Sequence, residues 1–486
     1  TNFVGPLIIP DSVTSIGENA FQRCYKFESL TISKSLLTLG PNAFDSCTGF
    51  QGPLIIPESL ESIKYQAFKG CSGFNGSLTI PKSISIIWNY AFSGCIGFNG
   101  QLIMSDSVTS IYDYAFSRCS NLKGDLIIPD SVTMIGDYAF SGCSGLNGSL
   151  IIGNSLAVIG GDAFNGCSYF TGNLTIGLNV TTIEYRAFIN FKFTGPLIIP
   201  DNVQQISSSA FERCSGFTSL KISNSIEKIF DSVFKDCSGF SGELFIPESV
   251  LSIDYYAFQG CSGFESLYIP NSTEEIKYAA FRYCSGFKGD LIIPNSVKNI
   301  EKNAFASCSG FNGSLIIPDS IKIIEDYCFY KCSGFSNSLI IPGSVVTISS
   351  YAFSQCTGFT GSLIIPDSVT SIGDSSFEGC TGLNGSLIIG NSLETITSNM
   401  FKGCSYFKGA LKIGSNVKKI ENNAFQGFSN FSGQLIIPES VEMINSYAFN
   451  KCSGFDSLTF LSSDLTIDSY SFSYCSGFKG SLIIPP

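Results

Sequence analysis

The chain of 486 residues contains no histidine, a single tryptophan and four methionines. The missing histidine removes the commonest general base and the commonest metal ligand together. Charged residues are sparse, at 14%, and the balance is acidic: 28 Lys and Arg against 39 Asp and Glu, a formal net charge of −11. Nucleic-acid binders gather basic residues on one face, so no nucleic-acid partner is expected. No apolar run reaches the ~18 residues of a membrane-spanning helix, so no membrane span is expected in this stretch. Phosphate-binding loops, dinucleotide-type glycine motifs and Cys-x-x-Cys pairs are also missing. Serine and aspartate abound, but neither a histidine nor a lysine-activated motif accompanies them. The expectation is therefore a non-enzymatic protein with no catalytic residues, no cofactor and no metal.

What is present is one stretch, repeated. A clear copy runs from Gly124 through Leu126-Ile127-Ile128-Pro129, Val132, Ile135, Ala139-Phe140 and Cys143 to Asn147, and the pattern restarts at Gly148. The leucine at Leu126 recurs from Leu7 to Leu482 at steps of 24 residues, sometimes 23. A fixed period of this length describes a solenoid, in which each coil buries its apolar side by stacking on its neighbours. No linker, charge block or change of composition interrupts it, so residues 1–486 read as a single solenoid of about 20 coils. The chain begins inside a coil at Thr1-Asn2-Phe3 and stops inside another at Leu482-Ile483-Ile484-Pro485-Pro486, which reads as a fragment of a longer chain.

Within a coil, Leu126 and Ile128 fall on one face of a short strand and Ile127 on the other. Pro129 ends the strand because it cannot donate to a ladder. Stacked coils then form a parallel sheet, one strand per coil. Val132 and Ile135 point inward, and the Ile135 column holds isoleucine in every coil except at Leu39. Ala139, Phe140 and Cys143 have the spacing of one face of a short helical turn. The phenylalanine recurs from Phe21 to Phe472, and a second aromatic column, Phe27 to Phe478, closes the core. One-residue deletions at the surface bend, as in Phe27-Glu28-Ser29-Leu30, leave the inward columns intact.

Eighteen of the 19 cysteines share one column, from Cys24 to Cys475, and Cys328 takes an alanine position. Phe191 and Phe428 replace the cysteine in two coils, so the site is read as buried and apolar, with packing favoured over a metal or redox ladder. A disulfide needs a twist of ~90° between its arms. Stacked side chains that point the same way do not supply it, and free thiols are expected.

The pattern carried by Leu126, Ile128, Pro129, Val132, Ile135, Ala139, Phe140 and Cys143 resembles the BspA-like, or Treponema pallidum-type, leucine-rich repeat family, over essentially the whole chain. The resemblance implies a right-handed leucine-rich-repeat solenoid of α/β class, with a parallel sheet on one face and short helical turns on the other. It also implies a surface-exposed or extracellular protein of mucosal bacteria or parasitic protists, adhering to host-cell or extracellular-matrix proteins or glycans. The family shares no catalytic residues.

Three outward features are candidate binding surfaces. The first is the column beside the anchor leucine, from Ile8 through Ile127 to Ile483, an apolar stripe longer than monomers usually expose; β-propensity alone also accounts for it. The second is Lys221, Phe245 and Tyr268, which replace isoleucine in three successive coils. The third is an aromatic patch, Trp88, Tyr90, Tyr112, Tyr114 and Tyr138, at equal offsets before Ala-Phe in three coils. Trp and Tyr dominate binding hot spots, although tyrosine also recurs at that offset elsewhere, as at Tyr256 and Tyr327. Sequons stand at Asn75, Asn147, Asn173, Asn179, Asn271, Asn312, Asn384 and Asn430; they are glycosylation candidates, or products of turn chemistry at the Asn-Gly-Ser bend. The leading expectation is a cell-surface binding protein. The alternative is a structural component that associates end to end, because neither end of the chain shows a polar cap.

Overall fold

A computed structural model describes residues 3–479; Leu482 and Ile483, the last members of their columns, lie outside them. The chain divides into two units, 1–241 and 242–486, each a solenoid of the coils anticipated above.

In the first unit the Leu-Ile-Ile segments form short parallel strands. Leu126–Ile128, Leu150–Ile152 and Leu174–Thr175 lie side by side. Their register pairs Leu126 with Leu150 and Ile127 with Ile151, so equal positions in successive coils stack. A second ladder, not foreseen from the sequence, is more continuous. Two-residue strands ending at the Ile135 column, from Ser62–Ile63 to Gln205–Ile206, form one seven-stranded parallel sheet. The β-branched residue in this column stays buried while its predecessor faces outward, which is the alternation of a strand. The second unit repeats both ladders, for example Leu363–Ile365 with Leu387–Ile389 and Thr395–Ile396 with Lys419–Ile420.

The expected short helical turns are not formed: no helix occurs among the described residues. The Ala-Phe segment is a chain of tight turns instead, and the reason lies in the backbone. Tyr138 and Gly142 both have left-handed φ, 55° and 76°, and a left-handed residue every fourth position breaks an α-helix. The amides then alternate in use. Those of Ser141 and Cys143 close turns onto the carbonyls of Tyr138 and Phe140, at 3.0 and 3.1 Å. Those of Phe140 and Gly142 reach the next coil, at Ala163 and Asn165, at 2.8 and 2.7 Å. A helix would spend all of these donors inside its own coil. Here half of them tie coil to coil. The expected inward faces are nonetheless correct: Ala139, Phe140 and Cys143 are fully buried.

Two aromatic columns fill the core. Phe44, Phe68, Phe92 and Phe116 stack at 5.4–5.5 Å, and Phe44 meets Phe50 of the second column edge-on, at 71°. Between the columns run the cysteines. No disulfide joins any of them. Their thiols donate to the phenylalanine carbonyl of the preceding coil: Cys71 to Phe44, Cys95 to Phe68 and Cys332 to Phe305, each at 3.0 Å. The column therefore suits a small apolar side chain that carries one weak donor. Burial is the largest influence on Cys95 and Cys332 and pushes both up to about 12.

The glycine two residues after the cysteine has a packing role. A Cβ at Gly145 would lie 2.5 Å from the carbonyl oxygen of Leu122, so backbone of adjacent coils meets where a side chain would stand.

Candidate functional site

The five residues of the aromatic patch are brought together by the coil-to-coil register. They form two parallel ladders. Trp88 and Tyr112 are stacked with centroids 4.9 Å apart and planes 3° apart. Tyr90, Tyr114 and Tyr138 stack at 4.7 and 4.9 Å, and Tyr65 meets Tyr90 edge-on at 6.1 Å. All five are half-buried. The cause is the stacking itself: each ring covers a face of its neighbour, leaving edges and polar tips toward solvent.

The tyrosines stand on left-handed backbone, with φ of 59°, 57° and 55° at Tyr90, Tyr114 and Tyr138. That conformation costs a bulky L-residue about 1–2 kcal/mol, and a ring stack returns about 0.5–1.5 kcal/mol. The two are comparable, so the ladder offsets the strain its own positions carry. Lys69 lies over Tyr90, with Nζ 5.4 Å from the ring centroid. A hydrogen bond to the Asp162 carboxylate raises the Tyr138 hydroxyl above its ordinary value. Burial raises that of Tyr90.

The two ladders stop one coil apart. After Tyr112 the register carries Gly136 and Gly160, and after Tyr138 it carries Asp162. These glycines and Tyr185, one coil further on, border an open groove that escaped sequence reasoning. The Gly160-Gly161 pair directly after a core isoleucine was its signal.

The sheet-face column is outward, as alternation requires. Ile103, Ile127 and Ile198 are 47, 52 and 52% exposed in the first unit, and Ile292, Ile316 and Ile340 are also exposed in the second. Lys221, in the first unit, is ion-paired with Asp201 at 3.7 Å. In the second unit Phe245 and Tyr268 are stacked at 4.9 Å, and the Tyr268 hydroxyl donates to Glu248 at 2.6 Å. All eight sequon asparagines are exposed. At the bend, the Oδ1 atoms of Asn147, Asn312 and Asn384 accept the amides of Gly124, Gly289 and Gly361 of the preceding coil, at 2.7–2.9 Å. Asn430 differs, because its Nδ2 donates to the Ser405 carbonyl at 2.7 Å.

Among the described residues no group of His, Cys, Asp and Glu could hold a metal ion, and no helix is long and apolar enough to cross a membrane.

The chain is similar to several solved structures. One is a leucine-rich repeat protein from Bacteroides ovatus, 21% identical, covering 82% of this chain and 85% of that one, with a TM-score of 0.43. A leucine-rich cell surface protein from Faecalibacterium prausnitzii is 20% identical, covering 96% and 84%, with a TM-score of 0.27. The pneumococcal vaccine antigen PcpA is 16% identical, covering 96% and 92%, with a TM-score of 0.30. No curated protein matches the chain. The model of the BspA type leucine rich repeat region matches in six copies, over residues 4–75, 51–171, 169–288, 289–406 and 359–479. With columns, bends and core accounted for by that repeat, the chain belongs to the BspA-type leucine-rich repeat family.

Proposed function

We propose that this protein is a non-enzymatic, surface-located binding protein, and that the paired aromatic ladders of the first unit contact a protein partner. The observation that carries this reading is the pair of stacks, Trp88 on Tyr112 and Tyr90 on Tyr114 on Tyr138. They gather five large rings on three consecutive coils. The orientation of the rings bears on the partner. A sugar ring packs against an open aromatic face, and within these ladders the inner faces are occupied by one another, which leaves an outer face only on the end rings. Edges, hydroxyls and the indole N–H remain, which are groups that protein interfaces use. A protein is thus favoured over a glycan. The apolar sheet face supports the same class of function, since exposed apolar stripes mark interaction surfaces. The repeat pattern continues in sequence through Ser241 and Gly242, which supports reading residues 1–486 as one repeat region.

The test is binding of the purified chain to host cells and to a panel of extracellular-matrix proteins, beside the double variant Trp88→Ser/Tyr112→Ser. Loss of hot-spot aromatics costs about 2 kcal/mol or more, so binding weakens tenfold or more. Unchanged binding by a folded variant would move the site to the sheet face or to Phe245 and Tyr268.

A further inference from the structure

The groove at the end of the ladders lies wholly in the first unit. It exists because side chains are missing. Gly136 and Gly160 stand in the register of Trp88 and Tyr112, and Gly161 stands in the register of Asn89, Asp113 and Asp137. Met134 and Val158 form an apolar floor, Val158 being 43% exposed. Tyr138 and Tyr185 also line the groove.

Four carboxylates complete the lining: Asp113, Asp137, Asp162 and Glu184. Their known partners are neutral. Asp113 Oδ1 and Asp137 Oδ1 accept the amides of Asp137 and Gly161, at 3.0 and 2.9 Å. Asp162 accepts from Asn165 Nδ2 at 2.7 Å, and Glu184 from the Ser207 hydroxyl at 3.2 Å. Among the described residues, none of the four is ion-paired with a lysine or arginine. The nearby cation, Arg186, lies over the Tyr185 ring at 4.7 Å instead. An aromatic, apolar-floored groove thus holds uncompensated negative charge.

We infer that this groove receives an arginine or lysine side chain of a protein partner. Its aliphatic stem would lie on Met134 and Val158, and its cationic head among the carboxylates and against Tyr138. Charge complementarity of this kind steers encounter and fixes register. Arginine fits better than lysine, because its guanidinium is planar, weakly hydrated and stacks on aromatic rings. The inference rests on the reading of the chain as a protein-binding solenoid and adds the chemistry of one bound group.

The test is calorimetric titration of the full chain with N-acetyl-tetraarginine amide, and with the tetracitrulline analogue as a neutral isostere. Two variants address the two parts of the site. Gly161→Tyr plugs the groove and keeps every charge. A Cβ at Gly161 would find its nearest atoms at 3.6 Å, and the next coil already carries Tyr185 in that register. Asp137→Asn/Glu184→Gln removes charge and keeps the shape. The expected result is salt-sensitive binding of tetraarginine, at least tenfold weaker for tetracitrulline and for both variants. If Gly161→Tyr does not fold, Gly161→Asn is the smaller plug, matching Asn89. No binding of tetraarginine, or undiminished binding by the plugged chain, overturns the proposal. Trp88→Ser/Tyr112→Ser should bind tetraarginine as the unaltered chain does, so failure here is separable from failure of the ladder as a protein contact.

Discussion

Trp88 and Tyr112 lie 24 positions apart in the chain and face to face in the fold, with ring centroids 4.9 Å apart and planes 3° apart. A double-mutant cycle with Trp88→Ala and Tyr112→Ala should return a coupling of about 0.5–1.5 kcal/mol in stability. Urea unfolding followed by circular dichroism measures it. Additive single effects would mean that the rings do not meet in solution.

The left-handed positions make an opposite pair of predictions. Ser307 has a φ of 62°, and the same register carries glycine at Gly142 and Gly260. Ser307→Gly relieves about 1–2 kcal/mol of strain and costs about 0.5–1 kcal/mol of chain entropy. The variant should be neutral to stabilising by up to about 1 kcal/mol in thermal or urea unfolding. Tyr114→Gly relieves the same strain but loses a stack on each side, at 4.7 and 4.9 Å. It should destabilise, and a gain in stability would show that the ladder returns nothing.

The fully buried thiols of Cys95 and Cys332 should be chemically silent in the folded protein. At pH 8 Ellman's reagent should react with Cys475, which is half-buried, before the fully buried thiols of Cys95 and Cys332. The linkage to stability has a definite sign. Burial raises Cys95 and Cys332 from an ordinary value of 9.0 to about 12. Between those values the unfolded chain releases protons that the folded chain retains. Stability is therefore constant below pH 9 in this respect and falls as pH rises from 9 toward 12. Urea midpoints that rise over that window would contradict the assignment of these thiols to the core.

The sequons separate by geometry. If the chain is passed through a eukaryotic secretory pathway, glycan should appear at the bend residues Asn147, Asn312 and Asn384, whose Oδ1 atoms alone are engaged with the preceding coil. Asn430 should stay bare, because its Nδ2 is the atom that would carry the sugar and it is bound to the Ser405 carbonyl. Peptide mass spectrometry reads both outcomes, and occupancy at Asn430 with none at the bend would refute the distinction.

Much of this architecture was legible because a repeat reports its own contacts. When equal positions stack, a column that stays apolar through substitution must be inward. The Ile135 column, the Phe140 column and the exchange of cysteine for Phe191 and Phe428 all follow that rule, and from Phe44 to Phe449 they are buried; only toward the ends of the described residues are Phe21, Ile467 and Phe472 partly open. Alternation along Leu126-Ile127-Ile128 likewise placed Ile127 outward. Periodicity, though, reports which side chains share a face and not which backbone conformation puts them there. Ala139, Phe140 and Cys143 satisfy a helical spacing and a chain of turns equally well. The choice was made by the amides, which gain partners in the next coil only when Tyr138 and Gly142 turn left-handed. The same limit applies to the patch. Its residues could be named from their offsets, but the loss of ring faces to mutual stacking appears only once the coils are 4.7–4.9 Å apart at those rings. The groove beside it arises from side chains that Gly136, Gly160 and Gly161 lack. Column composition by itself determined the core; the spacing of one coil on the next decided the turns, the free ring edges and the groove, because those depend on distances between residues 24 positions apart.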